Sequence, residues 1–586
     1  VIGPEHSTMR ELELKFALPL SLENRLEADA GSQRREQLWS CYYDTPDGRL
    51  ARARAAVRVR RQGDRWLQTV KAEGAEPFER FEWERPVAGP APELDALPPE
   101  SHPAGAVTRR SFGLWRPLFE TDFERASRRI EPRPGLQVEI ARDVGEVRCG
   151  ERREPFREVE LECLQGSRAA FFDWAHGWAA AQRACLSFAT KNERGLRLAA
   201  RLPIAPAAVK ARAATPSAEA PVGQALADVV RSCIAHACAN IEPILATEAP
   251  EGPHQLRVAM RRLRAAIRLF DLRDDADGPW QALDRDASAL ADAAGDVREF
   301  DVLEAGLLRD LQARFAGDAA IETLARTVVE ARDAARMTLR RTVAGPATTE
   351  LVLRALAMAE TAPVPDGPFG AFVAERLRAL HRRVRRRAQA ARDEPGWHRT
   401  RIAVKVLRYS LEFAAEAVPR GVDVRAALAL LADWQETLGA GQDLAVARDV
   451  AAAALARPGV PAEAAIRATG VIDGWLAAAG PAHAAHGRGA RRALRLLRDA
   501  MGPLGQRAPA ARPATARDTA DADAGADTEV EAKPAAPADA SDASPPAPAA
   551  AAGPAPPPPR AGSGAKPAAR SLPKARGASK ARRAPP

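Results

Sequence analysis

The sequence predicts an α+β multidomain chain: a strand-rich antiparallel N-terminal domain, then an all-α domain, then a disordered tail. Three observations carry this reading. Residues 9–203 hold short runs of alternating apolar and charged residues separated by turn signals. Residues 218–505 are rich in Ala, Leu and Arg, with apolar positions at helical spacing. Residues 506–586 are rich in Ala and Pro and carry almost no large apolar side chains, too few to offset the entropy of ordering. Residues 204–217 read as the linker between the first two territories. From Arg560 onward the charged residues of the tail are all basic, so its end reads as a basic arm, suited to a polyanion or to plain solubilisation.

Composition limits the function classes. Of 586 residues, 46% are hydrophobic, enough for real cores, whereas the 48 prolines and 5% aromatics suit a chain that is partly non-globular. The net charge of +9 points toward anionic partners. The six cysteines form no CxxC pair, which argues against a zinc ribbon or thioredoxin-type site and for reduced, buried thiols. No apolar run approaches the ~18 residues of a membrane span, and no signal pattern opens the chain. Residues 1–8 read as leader or start-site ambiguity. The expectation is a cytoplasmic protein with no membrane association.

In the strand territory the charges share faces. Glu11, Glu13 and Lys15 alternate with Leu12 and Leu14, so a strand puts the three charges on one side. Val57-Arg58-Val59-Arg60 presents two arginines, and Arg80-Phe81-Glu82-Trp83-Glu84 three charges. Val138-Glu139-Ile140 and Glu158-Val159-Glu160-Leu161-Glu162 repeat the arrangement. An ordinary sheet with one solvated face explains any single strand. Strands that carry only acids beside strands that carry only Arg suggest instead that the charged faces converge in a closed lumen. Carboxylates would there hold a divalent cation, and arginines phosphate oxygens.

These residues resemble the signature of the CYTH, or triphosphate tunnel metalloenzyme, superfamily. The ExExK opening is Glu11, Glu13 and Lys15, and Tyr43-Asp44-Thr45-Pro46-Asp47 is similar to the family's YYDTPD turn. Arg58 and Arg60, Lys71, Arg80 with Glu82, Arg125, Glu139 and Asp143, Glu160 with Glu162, and Lys191 follow in family order. Thr190 stands where the family often has Ser, keeping a hydroxyl before the last lysine. The resemblance implies an eight-stranded tunnel with flanking helices that acts on a triphosphate with Mg2+ or Mn2+. It implies metal ligation by Glu11, Glu13, Glu160 and Glu162, with Glu139 or Asp143 as further ligands. It implies phosphate contacts from Lys15, Arg58, Arg60, Lys71, Arg80, Arg125 and Lys191. Glu11, Glu13, Lys15, Lys71, Arg125 and Lys191 are the residues expected to carry catalysis. Family members include inorganic and thiamine triphosphatases, RNA triphosphatases and class IV adenylyl cyclases.

The helical territory contains a duplicated basic face. On a helix His254, Arg257, Arg261, Arg264 and Arg268 fall within an arc of roughly 80°, with Leu256, Met260, Leu263 and Ile267 opposite. His398, Arg401, Lys405 and Arg408 repeat the pattern at an offset of 144 (398 − 254). Arg298-Glu299-Phe300-Asp301 and Gln442-Asp443-Leu444-Ala445 keep that offset (442 − 298). A shared offset over two motifs argues for internal duplication, with halves at about 218–365 and 366–505, each long enough for a four-helix bundle. Like charges three and four residues apart repel by a few tenths of a kcal/mol per pair, so two unrelieved cationic faces point to a bound polyanion.

This pattern resembles the CHAD domain, with Glu299 in place of the usual Asp of its second motif. The resemblance implies inorganic polyphosphate as ligand, held by His254, Arg257, Arg261, Arg264, His398, Arg401, Lys405 and Arg408, and allows association with polyphosphate granules. The combined expectation is hydrolysis of inorganic triphosphate to diphosphate and phosphate, joined to polyphosphate binding. The alternatives are turnover of nucleoside or thiamine triphosphate, adenylyl cyclase chemistry, or a non-catalytic granule protein. Nucleic acid is the weaker partner, because Tyr409 is almost the only aromatic among the cationic faces.

Overall fold

The computed structural model describes residues 9–28, 33–74, 78–200, 206–273, 277–479 and 483–505. The basic tail lies outside the described residues. Eight strands, β1 (Met9–Ala17), β2 (Arg34–Asp44), β3 (Ala55–Gln62), β4 (Arg65–Glu73), β5 (Glu79–Val87), β6 (Arg116–Arg133), β7 (Leu136–Cys149) and β8 (Arg152–Gln165), form one closed barrel. The order around it is β1-β5-β4-β3-β2-β6-β7-β8, and every neighbouring pair is antiparallel. The β3–β4 and β7–β8 hairpins turn through Gly63 and Gly150, both at φ 60°, a backbone region that costs glycine nothing.

Period-two alternation decides which face goes where. Leu12, Leu14 and Phe16 of β1 point outward with Val138, Ile140, Val159 and Leu161 of β7 and β8. They pack on α1 (Leu20–Ala28) and on Phe171 and Phe172 of α4 (Arg168–Gln182). On the other side, outward Val57, Val70 and Trp83 pack beside α2 (Arg49–Arg52) and α3 (Gly105–Ser111). The charged alternates are left to face the lumen. Farther along β6 and β8 the inward positions turn apolar, where Phe119, Phe123 and Phe156 cluster with Leu38 and Tyr42. Helix α5 (Lys191–Ala199) lies on that cluster; a Cβ at Gly195 would overlap the Phe119 ring.

The helical region runs α6 (Val222–Cys238), α7 (Ile241–Ala246), α8 (Glu251–Leu269), α9 (Pro279–Leu303), α10 (Arg309–Arg314), α11 (Ala319–Val343) and α12 (Pro346–Thr361). It continues with α13 (Phe369–Ala390), α14 (Glu394–Phe413), α15 (Val424–Leu455), α16 (Ala462–Ala479) and α17 (His483–Ala500). The two histidine–arginine segments are α8 and α14, and the second motifs lie on α9 and α15. Each half holds five helices of at least 16 residues, so the expected four-helix unit is extended by one, α12 and α17 respectively. Connections of a few residues between most helices leave room for the additional one. Helices α8 and α14 pack on each other, and α9 meets α15.

Barrel and helices belong to one compact unit with a continuous core that joins Leu14, Phe171 and Phe172 to Val229, Leu263 and Leu356. The six cysteines are unpaired. Among the described residues no helix is long and apolar enough to cross a membrane.

Candidate active site in the barrel lumen

Two groups of carboxylates face the lumen, and they differ in how their charge is met. In the inner group, Lys191 at the start of α5 donates to Asp143 at 2.7 Å, to Glu160 at 2.9 Å and to Glu158. Arg125 binds Asp143 through both fork positions, at 2.7 and 2.6 Å, and also reaches Glu160. Lys15 lies 3.1 Å from Glu160 and 3.5 Å from Glu158. Burial opposes ionisation here, but Arg125 and Lys191 hold Asp143 below the usual carboxylate range. Against the same burial, Lys191, Lys15 and Arg125 hold Glu160 well below it. Oxygens of Asp143, Glu158 and Glu160 lie within 4.8 Å of one another, a spacing that could hold a metal ion. The Lys191 ammonium already meets all three.

The outer group is neutralised less fully: Lys15, shared with the inner group, lies 3.6 Å from Glu13. Glu13 sits opposite Glu162 across β1 and β8, and Glu162 opposite Glu139 across β8 and β7. Burial, then Glu11 and Glu13, pushes the Glu162 carboxyl up to about 8. Burial and the Glu160 charge likewise raise Glu13. Lys71 relieves Glu11 at 2.7 Å and also reaches Glu82 at 3.4 Å. Glu139 lies 3.8 Å from the exposed Arg129. Glu13 and Glu162, crowded oxygen donors whose carboxyls are raised, suit a hard divalent cation, and Glu11 adds a further oxygen beside them, so the three fit a metal.

Facing them is a wall with surplus positive charge. Arg58 and Arg60 project from β3, Lys71 from β4 and Arg80 from β5 into one cavity of about 1120 Å³. Arg60 has no carboxylate within ion-pair distance among the described residues; its hydrogen bond goes to Ser40 Oγ at 3.4 Å. Burial, then the neighbouring Arg58 and Arg125 charges, lowers its guanidinium to about 10. Arg58 reaches Glu82 only at 3.8 Å. Tyr42 lines the same wall; burial is outweighed by Arg58 and Arg60, which lower its hydroxyl. The lumen thus offers one place short of cations and one short of anions.

All the expected barrel residues but Glu139 and Asp143 line this cavity; Asp143 lies behind Arg125 and Lys191, Glu139 lies opposite Glu162, and the structure adds others. Glu158 belongs to the inner group, and the Glu158-Val159-Glu160-Leu161-Glu162 alternation already pointed inward. Glu84 accepts from Thr69 Oγ1 at 2.8 Å. Ser40, Tyr42 and Thr69 carried no charge pattern to mark them. Thr190 serves as N-cap of α5: its side chain and that of Glu193 cap each other's backbone N–H groups at 3.0 and 2.8 Å. That cap fixes the helix end from which Lys191 reaches inward.

In the helical domain the cationic rows turn toward the next long helix. The Arg257 guanidinium lies against the backbone at Gly295 of α9, where a Cβ would fall on it. Arg401 lies against Gly439 of α15, 3.2 Å from a Cβ there. Arg264 is buried and pairs with Asp284 at 3.1 Å, while Arg408 meets Glu412 and Gln435, each at 3.2 Å. Arg262, over the Phe413 ring at 4.7 Å, pairs with Glu412 and ties α8 to α14. Burial, then Arg298, lowers the His254 imidazole. Asp301 pairs with Arg336 at 2.8 Å, whereas the side chains of Gln442–Ala445 lie outside the described residues.

Comparisons with known proteins agree with this layout. The CYTH domain family matches residues 9–196, and the CHAD domain family residues 228–452. An inorganic triphosphatase of Haemophilus influenzae is 25% identical over 202 residues, 33% of this chain and 56% of that protein. The chain therefore spans little more than half the length of that relative. The crystal structure of the CHAD domain from the plant Ricinus communis is 31% identical, covers 49% of this chain and 96% of its own, and has a TM-score of 0.43. PptA from Streptomyces chartreusis is 17% identical, with 48% and 99% covered and a TM-score of 0.33. The chain belongs to the proteins that carry a CYTH domain followed by a CHAD domain.

Proposed function

We propose that the barrel hydrolyses inorganic triphosphate to diphosphate and phosphate with a divalent cation, and that the helical domain binds inorganic polyphosphate. The observation that carries the reading is the double charge mismatch of the lumen. Raised carboxyls at Glu13 and Glu162 face a lowered guanidinium at Arg60. A chain of phosphates with its metal ion relieves both at once; neither a cation nor an anion alone would.

Arg58 and Arg60 hold phosphate oxygens in bidentate fashion, and Lys71 and Arg80 add point charges along the chain. Glu11, Glu13 and Glu162 would hold Mg2+ or Mn2+. That ion supplies neutralisation of the phosphate oxygens as charge moves to the leaving diphosphate. Lys15, Lys191 and Arg125, fastened by Asp143, Glu158 and Glu160, keep the inner end of the site in fixed geometry. A water attacks the terminal phosphorus, and positioning with charge neutralisation supplies most of the rate. The H. influenzae triphosphatase supports this choice of substrate. On α8 and α14, His254, Arg257, Arg261, His398, Arg401 and Lys405 form the polyphosphate surface. Arg264 and Arg408 contribute to it from within their carboxylate contacts.

The test is phosphate release from inorganic triphosphate, ATP, thiamine triphosphate and long-chain polyphosphate, with and without Mg2+ or Mn2+. Inorganic triphosphate is expected to turn over fastest, and Glu11→Ala to lower that rate by about 100-fold or more. Arg257→Ala/Arg401→Ala is expected to weaken retention of long-chain polyphosphate. Preference for ATP or thiamine triphosphate would replace the substrate. No release from any of the four would leave a binding protein. Equal loss of hydrolysis in both variants would overturn the division of labour.

A further inference from the structure

The lumen cavity does not end with the barrel. Its wall continues onto Val209, Lys210 and Arg212, between barrel and helices, and onto Ser232, Ala235 and His236 of α6. Buried hydrogen bonds fasten this outer wall. Asn240, fully buried, accepts from the Val209 N–H at 3.0 Å and donates to the Val209 carbonyl at 2.9 Å. It also donates to the His236 carbonyl at 2.8 Å. The His236 ring nitrogen Nε2 lies 3.0 Å from Gln255 of α8, which in turn donates to Glu251 at 2.7 Å. The backbone at Val209 is therefore pinned to the helical domain, and the next two cations, Lys210 and Arg212, are exposed at the cavity wall.

We propose that Lys210 and Arg212 form an outer phosphate subsite, which takes the units of a linear polyphosphate that extend past the three held in the barrel. The proposal rests on the reading of the lumen as a phosphoanhydride site. Three observations carry it. The cavity, about 1120 Å³, exceeds the roughly 300–1,000 Å³ that drug-sized ligands fill, more than a three-phosphate anion needs. The charged residues that the linker and α6 give to its wall are these two, both positive, and no carboxylate of the described residues pairs with either. Cations on an anchored backbone lose less freedom on binding than cations on a mobile one. The chain's helical half thus shapes which lengths of phosphate chain the tunnel prefers.

Two readouts on the full chain test this. The first follows acylation of Lys210 by mass spectrometry, with inorganic triphosphate or a longer linear polyphosphate present. The longer chain is expected to slow labelling roughly tenfold, and triphosphate less than about twofold, the scale of one or two charge contacts. The second compares KM across chain lengths. Although triphosphate turns over fastest, the wild type has the lower KM for longer chains; Lys210→Ala/Arg212→Ala loses that KM difference, and Lys210→Arg/Arg212→Lys keeps it. Labelling needs no turnover, so the two proposals fail separately. Protection of Lys210 without hydrolysis of any phosphate chain overturns the function but keeps the subsite. Hydrolysis with Lys210 equally reactive under both anions, or an unchanged length preference in the alanine variant, overturns the subsite.

Discussion

Glu162 and Arg60 are both shifted toward their neutral forms, one carboxyl up to about 8 and one guanidinium down to about 10, burial being the first cause of each. Neighbouring like charges add to it: Glu11 and Glu13 around the acid, Arg58 and Arg125 around the base. The sign of the pH effect follows. A carboxyl raised in the folded chain keeps its proton where the unfolded chain has lost it. Stability therefore falls as pH rises from the ordinary glutamate range through about 8, and the cost is complete above that. Glu162→Gln removes this cost. Its Tm without metal is expected to exceed that of the wild type by a few degrees at alkaline pH, the scale of the several kcal/mol (~1.4 per pH unit) that so large a rise implies, and to match it near pH 4. A difference independent of pH would show that Glu162 acts through packing. At this scale the charged lumen residues were legible, since alternation assigns each to one face. Ser40, Tyr42 and Thr69 were not, because a neutral side chain becomes a lumen residue only through the strands beside it.

At the scale of elements, the duplicated helix pair is the informative unit. Arg257 on Gly295 and Arg401 on Gly439 repeat one contact at the offset that relates the two halves (439 − 295 = 144). Each glycine lets a guanidinium lie along the next helix rather than swing away from it. In Gly295→Ala the new methyl falls on the end of a flexible side chain, so the change in stability is small while Arg257 must move. At Gly439 the clearance is 3.2 Å, and Arg401 adjusts with little displacement. Calorimetric titration with long-chain polyphosphate is expected to show roughly tenfold weaker binding for Gly295→Ala, the scale of one charge-assisted contact, and a markedly smaller loss for Gly439→Ala. Equal effects would mean that Arg257 and Arg401 hold the helices together rather than a ligand. Both glycines lay in the sequence at the shared offset, so this device was legible in principle. The fifth helix of each half was not, because α12 and α17 carry no copy of the basic motif.

At the scale of the molecule, the modest net charge of +9 hides three segregated patterns: a mixed lumen, two cationic helix rows, and a basic end to the tail. The barrel inverts the usual soluble arrangement, with charge inside and leucine outside, and the outer leucines are covered by the same core that runs into the helices. The inversion could be read from strand patterns. The continuous core could not, because it depends on which apolar faces meet: Leu186 N–H, for instance, donates to Thr349 of α12 at 2.8 Å across 163 residues. Metal and phosphate chain, on the proposed function, occupy separate, mutually compensating walls of the lumen. Anomalous diffraction at the manganese edge tests it most directly, on crystals of the full chain with Mn2+ and a non-hydrolysable imido analogue of inorganic triphosphate. Manganese is expected beside Glu11, Glu13 and Glu162, with phosphates against Arg58 and Arg60. Manganese among Asp143, Glu158 and Glu160 with Lys191 displaced, or phosphate found only on α8 and α14, would contradict it.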